Sequence, residues 1–280
     1  MKYIKIYEKF KEDIDIFDEE DWDEEDDDES FLFWLKRIYL KNTWKDITYI
    51  NCKNSNLKNL KGIENLPNLK SLNCGNNQLI NLNGIEKCIK LEKLNCNNNN
   101  LESLNGVENL TNLKRLYCYN NNLINLNEIK NCINLIYLDC YNNKLINLNG
   151  VENLINLNVL NCNYNNLINL KGIEKLINLI HLYCENNQLT NLNESKKLIN
   201  LTYLECHDNQ LENINGIKNC IKLKHLFCNH NLKNLNGIEN LINLTHLYCP
   251  DNDFTNEYKE YLINYCEEKK IYLDLMLDLL

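Results

Sequence analysis

Two prolines, two methionines and eight glycines are all that 280 residues hold of these types. Seven of the glycines share one recurring position, so glycine here marks a requirement of backbone geometry. No stretch approaches the roughly 20 apolar residues that cross a bilayer. The opening residues, MKYIKIYEKFKEDID, reach charge almost at once and lack the apolar core of a signal peptide. HExxH, GxGxxG and the P-loop are absent, and so is a GxSxG nucleophile elbow. What crowds the chain is Asn, Leu, Ile and Lys. Leu and Ile are too frequent for a disordered polymer. The expectation is a soluble, ordered chain that is not exported by the signal-peptide route and resides in the cytoplasm.

A repeat organises most of the sequence. Ten cysteines fall at 52, 74, 96, 118, 140, 162, 184, 206, 228 and 249, a step of 22 residues broken once by a step of 21. The unit reads LxxLxCxxNxLxxLxGIxxLxN, beginning at Ile47, Leu69, Leu91, Leu113, Leu135, Leu157, Leu179, Leu201, Leu223 and Leu244. Positions 1, 4 and 6 have the alternation of a strand that buries one face. Positions 11, 14, 17 and 20 supply apolar side chains to a return path. One such unit cannot cover its own apolar face, so units must stack. Ten strands at about 4.8 Å each give a parallel sheet roughly 45 Å long. Asn at position 9 (Asn77, Asn99, Asn121, Asn143, Asn165, Asn187, Asn209, Asn252) carries an amide that donates and accepts, and is expected to pair loop backbone between turns. Gly at position 16 calls for positive φ or close backbone approach, with Glu128 and Glu194 standing there in repeats four and seven. Repeat nine is one residue short between Cys228 and Leu232, which predicts a distorted turn.

This pattern resembles the leucine-rich repeat family, whose signature is LxxLxLxxNxL, with Cys in place of the commoner Leu at position 6. The 22-residue length and the GI/GV step are similar to internalins and to a regulatory subunit family of protein phosphatase 1. The Asn- and Cys-rich form also resembles leucine-rich repeat proteins of giant DNA viruses, which would place the chain in a host cytoplasm. The resemblance implies an α/β repeat fold. It is a leucine-rich-repeat solenoid with one parallel strand per repeat, ten repeats over 47–254 and helical caps at 30–46 and 255–280. Residues 1–29 form an acidic arm ahead of it.

Fourteen cysteines would suggest disulfides in a small secreted protein. Here ten occupy the buried strand position, Cys88, Cys132 and Cys220 replace Leu at position 20, and Cys266 lies in a helical pattern. Each stands where a modest apolar side chain is wanted, so reduced thiols are expected. Zinc-type CxxC clustering is missing. At the N-terminal end, residues 12–29 contain fourteen acids and no base, while the remaining 25 acids face 30 bases. Such a block is a solvated tail or a contact for a basic partner, with Phe17 and Trp22 as apolar anchors. Ser30 is a fitting N-cap for a helix that would bury Phe31, Trp34, Leu35 and Ile38 over the first repeat. At the other end a helix would present Tyr258, Tyr261, Leu262, Tyr265 and Cys266 on one face. The final IYLDLMLDLL would pack beneath that cap or contact another chain.

In this fold the exposed strand positions 2, 3 and 5 and the turn positions 7 and 8 are expected to line the concave face. Aromatics concentrate there from repeat four onward, and all five histidines (His181, His207, His225, His230, His246) lie in its second half. Tyr gives large contact area at low entropy cost and, with Arg, dominates interface energetics. The expected function is non-catalytic recognition of a protein or peptide by repeats four to ten. Arg115, Tyr117, Tyr119, Tyr137, Tyr141, Tyr183, Tyr203, Phe227 and Tyr248 form the expected contact surface. An adaptor that recruits a substrate to a larger complex is a related reading. A different class is a metal or hydrolytic site from His225, His246 and Glu205, which are sensible zinc donors but sit on a wide surface without a pocket. Scattered Lys and Arg and the acidic arm argue against nucleic acid as partner. No cofactor and no membrane contact are expected.

Overall fold

The computed structural model describes residues 30–228 and 232–275. The acidic arm with Phe17 and Trp22, the shortened turn of repeat nine with His230, and the last five residues of the apolar tail lie outside the described residues. Eleven three-residue strands form one parallel sheet in strict sequence order. They are β1 (Tyr49–Asn51), β2 (Ser71–Asn73), β3 (Lys93–Asn95), β4 (Arg115–Tyr117), β5 (Tyr137–Asp139), β6 (Val159–Asn161), β7 (His181–Tyr183), β8 (Tyr203–Glu205), β9 (His225–Phe227), β10 (His246–Tyr248) and β11 (Tyr272–Asp274). Strands β1 to β10 occupy positions 3 to 5 of successive units. Their register keeps every column aligned, as in Tyr203 beside His225 beside His246. This is the solenoid that the resemblance to leucine-rich repeats implies.

The core is a continuous apolar rod. Repeat positions 1, 4, 6, 11, 14, 17 and 20 are buried almost without exception from Ile47 to Leu247. The return path is built from short 3₁₀ turns such as Ile63–Asn65 and Ile85–Lys87. Gly62, Gly84, Gly106, Gly150, Gly172 and Gly237 enter this path with φ between +95° and +113°. The N–H of each donates to the Glu two residues on, for example Gly106 to Glu108 Oε2 at 2.7 Å. Where Glu128 and Glu194 replace that glycine, the 3₁₀ turn lengthens to Asn127–Asn131 and Asn193–Lys197. The following repeats need glycine for close approach, Gly150 in addition to its positive φ. A Cβ on Gly150 would stand 2.0 Å from Leu126 O, and one on Gly216 would stand 1.9 Å from Leu192 O. The two exceptions are therefore matched by their neighbours.

Asparagine satisfies the backbone that the sheet leaves open. Asn143 is typical of position 9: its Nδ2 donates to Cys118 O, Cys140 O and Tyr141 O, and its Oδ1 accepts from Leu123 N–H. A second ladder, which the sequence reading did not single out, runs at position 22. There Asn112, Asn134, Asn156, Asn178, Asn200 and Asn243 each donate to a carbonyl in the preceding repeat, and Asn68 of the first repeat donates to Lys45 O ahead of it. All fourteen cysteines are free and buried. Eight strand cysteines donate a weak S–H bond to the carbonyl of the next strand, from Cys52 to Asn73 O through Cys206 to Phe227 O.

Both ends carry a helix. Helix α1 (Phe31–Ile38) starts at Ser30, whose hydroxyl accepts from Phe33 N–H. It buries Phe31 and Leu35, and Leu32 packs over Gly62 of the first repeat. Ile38 departs from the expectation: it stands half exposed in the last turn, beyond the edge of the repeat stack. Helix α2 (Asn256–Lys269) is capped by Thr255 and buries Leu262 and Cys266. Tyr258 and Tyr265 pack against the core, and Tyr258 Oη accepts from Leu235 N–H at 2.7 Å. Tyr261, expected on the same buried face, is exposed instead, because the apolar stripe is narrower than three tyrosines require. After α2 the chain reverses at Lys270, with φ +57°, and adds β11 to the sheet beside β10. The described part of the tail thus extends the sheet, which the sequence reading did not foresee.

Candidate recognition surface

The parallel register turns each outward strand position into a column of side chains about 4.8 Å apart. Aromatic rings at that spacing stack on one another, and they do so here in a continuous field. Tyr183 meets Tyr203 at 5.2 Å, Tyr203 meets Phe227 at 5.4 Å, and Phe227 lies parallel to Tyr248 at 4.2 Å with 3° between the planes. Beside them His181 packs on Tyr203, Tyr203 on His225, and His225 stacks on His246 at 4.4 Å. Tyr272 of β11 closes the field, 5.6 Å from Tyr248 and 5.7 Å from His246. All the strand rings are partly exposed, and Tyr272 is more than half exposed.

The expected contact residues divide into three groups. Tyr183, Tyr203, Phe227 and Tyr248 belong to this field. Tyr117 and Tyr137 form a separate pair at 5.0 Å, with Lys93 Nζ 5.5 Å above the Tyr117 ring and Arg115 exposed on the same strand. Val159 and Asn161 of β6 lie between the two groups. Tyr119 and Tyr141 sit at the turn edge, where Tyr141 packs against Tyr164 at 5.2 Å. Tyr272 was missed because it lies outside the repeat and no column predicts it. His225 and His246, weighed above as metal donors, stand with His181 in the ring field.

The polar groups of this face follow burial and charge. Asp139, half enclosed on β5, has its carboxyl pushed up to about 6 by desolvation, against a backbone bond from Tyr141 N–H that works the other way. The Tyr203 hydroxyl is raised by burial and by donating to Glu205 Oε1. His225 is lowered by burial and by the neighbouring His246.

Metal donors converge elsewhere than at His225 and His246. Those two rings are nearly parallel, 16° apart, so their in-plane lone pairs run side by side instead of meeting. Among the described residues the donor atoms that come together are those of Glu185, Glu205 and His207, all within 4.8 Å of one another. Glu205 and His207 lie two residues apart on one strand edge and share a face, and the register sets Glu185 beside His207. Glu205 was among the residues singled out from sequence; its actual neighbours were not. Asp208 is bonded to His207 Nδ1 at 2.9 Å.

No known family profile matches the sequence, and no curated protein matches it. Solved structures do. The internalin InlF of Listeria monocytogenes aligns over 88% of this chain and 87% of its own, with a TM-score of 0.55 and 22% identity. Internalin C2 of the same organism aligns over 68% and 84%, with a TM-score of 0.63 and 21% identity. The functional domain of InlJ, also from L. monocytogenes and described as including a cysteine ladder, aligns over 84% of this chain and 55% of its own, with a TM-score of 0.62 and 25% identity. The chain thus spans about half the length of that last structure. Together with the aligned strands, the ladders of Asn and Cys and the glycine-led return turns, these matches identify the fold as that of a leucine-rich-repeat protein resembling internalins.

Proposed function

We propose that this protein is a non-catalytic recognition module that binds a protein or peptide on the second half of its concave face. The observation that carries this reading is the unbroken, partly exposed ring field from His181 and Tyr183 to Tyr272. Such rings offer rigid, amphipathic area that a partner can cover at low entropic cost. The first three repeats present mostly Asn, Ser and Lys at the same positions, with Tyr49 as the one ring. A shallow concavity of about 620 Å³, lined by Ile146, Ile168 and neighbouring Asn side chains, lies outside the ring field. A broad surface suits a macromolecule better than a small substrate. Among structures sharing the fold is a plant peptide hormone receptor, RGFR1, solved in complex with RGF2, with a TM-score of 0.55 over 71% of this chain and 39% of its own. Tyr117, Tyr137 and Arg115 would form an outlying contact, and Tyr119 and Tyr141 its rim.

The test is affinity capture from cell lysate with the intact chain and with Tyr183→Ser/Tyr203→Ser/Phe227→Ser. A partner held by the intact chain is expected to be lost with the triple variant, while thermal unfolding stays nearly unchanged. Equal capture by both proteins would place recognition on another surface.

A further inference from the structure

The turn edge beside the ring field carries a cluster that recognition of a peptide does not require. Asn163, Glu185 and His207 occupy position 7 of three successive repeats, so their side chains stand in one column. Glu205 reaches the same place from the strand. The His207 Nε2 faces Glu185 Oε2 at 3.6 Å, and its other ring nitrogen is held by Asp208 at 2.9 Å. Two carboxylates that approach this closely repel each other unless positive charge lies between them. Here the Asn163 amide serves that purpose weakly: its Nδ2 donates to Glu185 Oε2 at 3.0 Å and to Glu205 Oε2 at 3.4 Å. Further donors surround the pair. Tyr203 donates to Glu205 Oε1, and Asn186 Nδ2 donates to Glu185 Oε1 at 2.9 Å. Tyr164, in a left-handed conformation that Asn or Asp adopts at the same turn position elsewhere, stands next to this group, and the charge of Glu185 raises its hydroxyl.

We infer that Glu185, Glu205 and His207 form a binding site for a divalent transition-metal ion of the zinc class. The donor set decides the class. One imidazole nitrogen and two carboxylate oxygens suit Zn²⁺, whereas Ca²⁺ takes six to eight oxygens and Mg²⁺ a near-octahedral oxygen shell. Bonds of about 2.0–2.1 Å in a tetrahedral site put donor atoms about 3.3 Å apart. The His207–Glu185 separation of 3.6 Å already approaches that value, and a Glu205 oxygen lies within 4.8 Å of both. Asp208 plays the part of a carboxylate behind a metal-bound histidine, fixing the ring so that Nε2 points at the ion. Three protein donors leave a fourth position for water, at the rim of the concave face.

The experiment is calorimetric titration of Zn²⁺ into the full chain, stripped with chelator and kept reduced. Optical titration with Co²⁺ accompanies it, because Co²⁺ reports thiolate ligands by a charge-transfer band. The expected result is one tight equivalent with no thiolate band, distinct from any weak uptake by the acidic arm. His207→Gln and Glu205→Gln should each abolish that equivalent. Asp208→Asn should weaken it about 10- to 100-fold. His225→Gln/His246→Gln should leave it intact. Circular dichroism of the metal-free variants establishes that they fold. Survival of the tight equivalent in both His207→Gln and Glu205→Gln, a thiolate band, or loss on changing His225 and His246 would each overturn the assignment.

Discussion

At the scale of single residues, asparagine does the work that a second hydrogen-bonded sheet would do in another fold. Replacing Asn143 by Ala strands the buried Leu123 N–H, while the carbonyls of Cys118, Cys140 and Tyr141 keep bonds from Asn121 Nδ2, Asn165 Nδ2 and Asn120 N–H. A stranded buried group costs about 1–3 kcal/mol, so Asn143→Ala should lower unfolding free energy by about 1–3 kcal/mol in a denaturant titration. Asn134→Ala removes one exposed bond and should cost no more than about 1.5 kcal/mol. The position-9 ladder was legible in the sequence because a polar residue recurs inside an apolar frame. Asn also recurs at position 22 of the unit, but its bonding was not legible there, because an exposed Asn beside an exposed Ile looks like ordinary surface. The Glu185–Glu205–His207 group was illegible for another reason. Its members come from two repeats and two repeat positions, and only the side-chain geometry shows that they converge. Asp139 gives a pH test at the same scale. Its folded value of about 6 lies above the ordinary carboxylate value, so its protonated form favours the fold. That contribution is complete below the unfolded value and is lost as pH rises through about 6. Asp139→Asn should therefore match the parent near pH 4 and melt at higher temperature than the parent at pH 7, as followed by circular dichroism.

At the scale of elements, the glycine-led turn separates two costs that usually come together. Gly237 has φ +99° and nothing nearer than 3.8 Å to a built Cβ, so Gly237→Ala carries backbone strain alone. Gly150 has φ +105° and the Leu126 carbonyl in the way, so Gly150→Ala carries strain and a backbone clash. Thermal melts should rank Gly150→Ala well below Gly237→Ala, and both below the parent. Equal losses would show that steric approach at Gly150 is relieved by movement of the neighbouring turn. The repeat strands and both cap helices were legible, since the repeat period, the Ser30 cap and the helical spacing of Tyr258, Leu262, Tyr265 and Cys266 mark them directly. The cap strand β11 was not. Its three residues have little intrinsic reason to extend; they do so because β10 leaves a free edge with unpaired backbone groups. Ile38 and Tyr261 were misplaced for a related reason. Helical spacing says which side chains share a stripe, but not how wide a stripe the solenoid end can cover.

At the scale of the whole molecule, one apolar rod runs the length of the repeats with a thiol in every strand layer. Burial pushes many of these thiols up to about 12, including Cys52, Cys96, Cys162 and Cys206. A thiol whose folded value exceeds its unfolded value stabilises the fold below the unfolded value and loses that contribution as pH rises toward the folded one. Melting temperature should therefore fall steeply once pH passes about 9, where unfolded thiols ionise. In native buffer near neutral pH a thiol reagent should react slowly, and under denaturing, non-reducing conditions it should count fourteen thiols. A native count near fourteen within minutes would contradict the buried ladder.

Two outward surfaces compete for a partner at this scale. One is the ring field of the concave face. The other is a row of isoleucines at position 21, including Ile133, Ile155, Ile177 and Ile199, each about half exposed. Hydroxyl-radical footprinting of the chain alone and with its captured partner distinguishes them in one measurement. The account predicts that the partner protects Tyr183, Tyr203, Phe227, Tyr248 and Tyr272 from oxidation and leaves the isoleucine row unchanged. Protection of the isoleucines with the tyrosines as reactive as before would contradict recognition on the concave face.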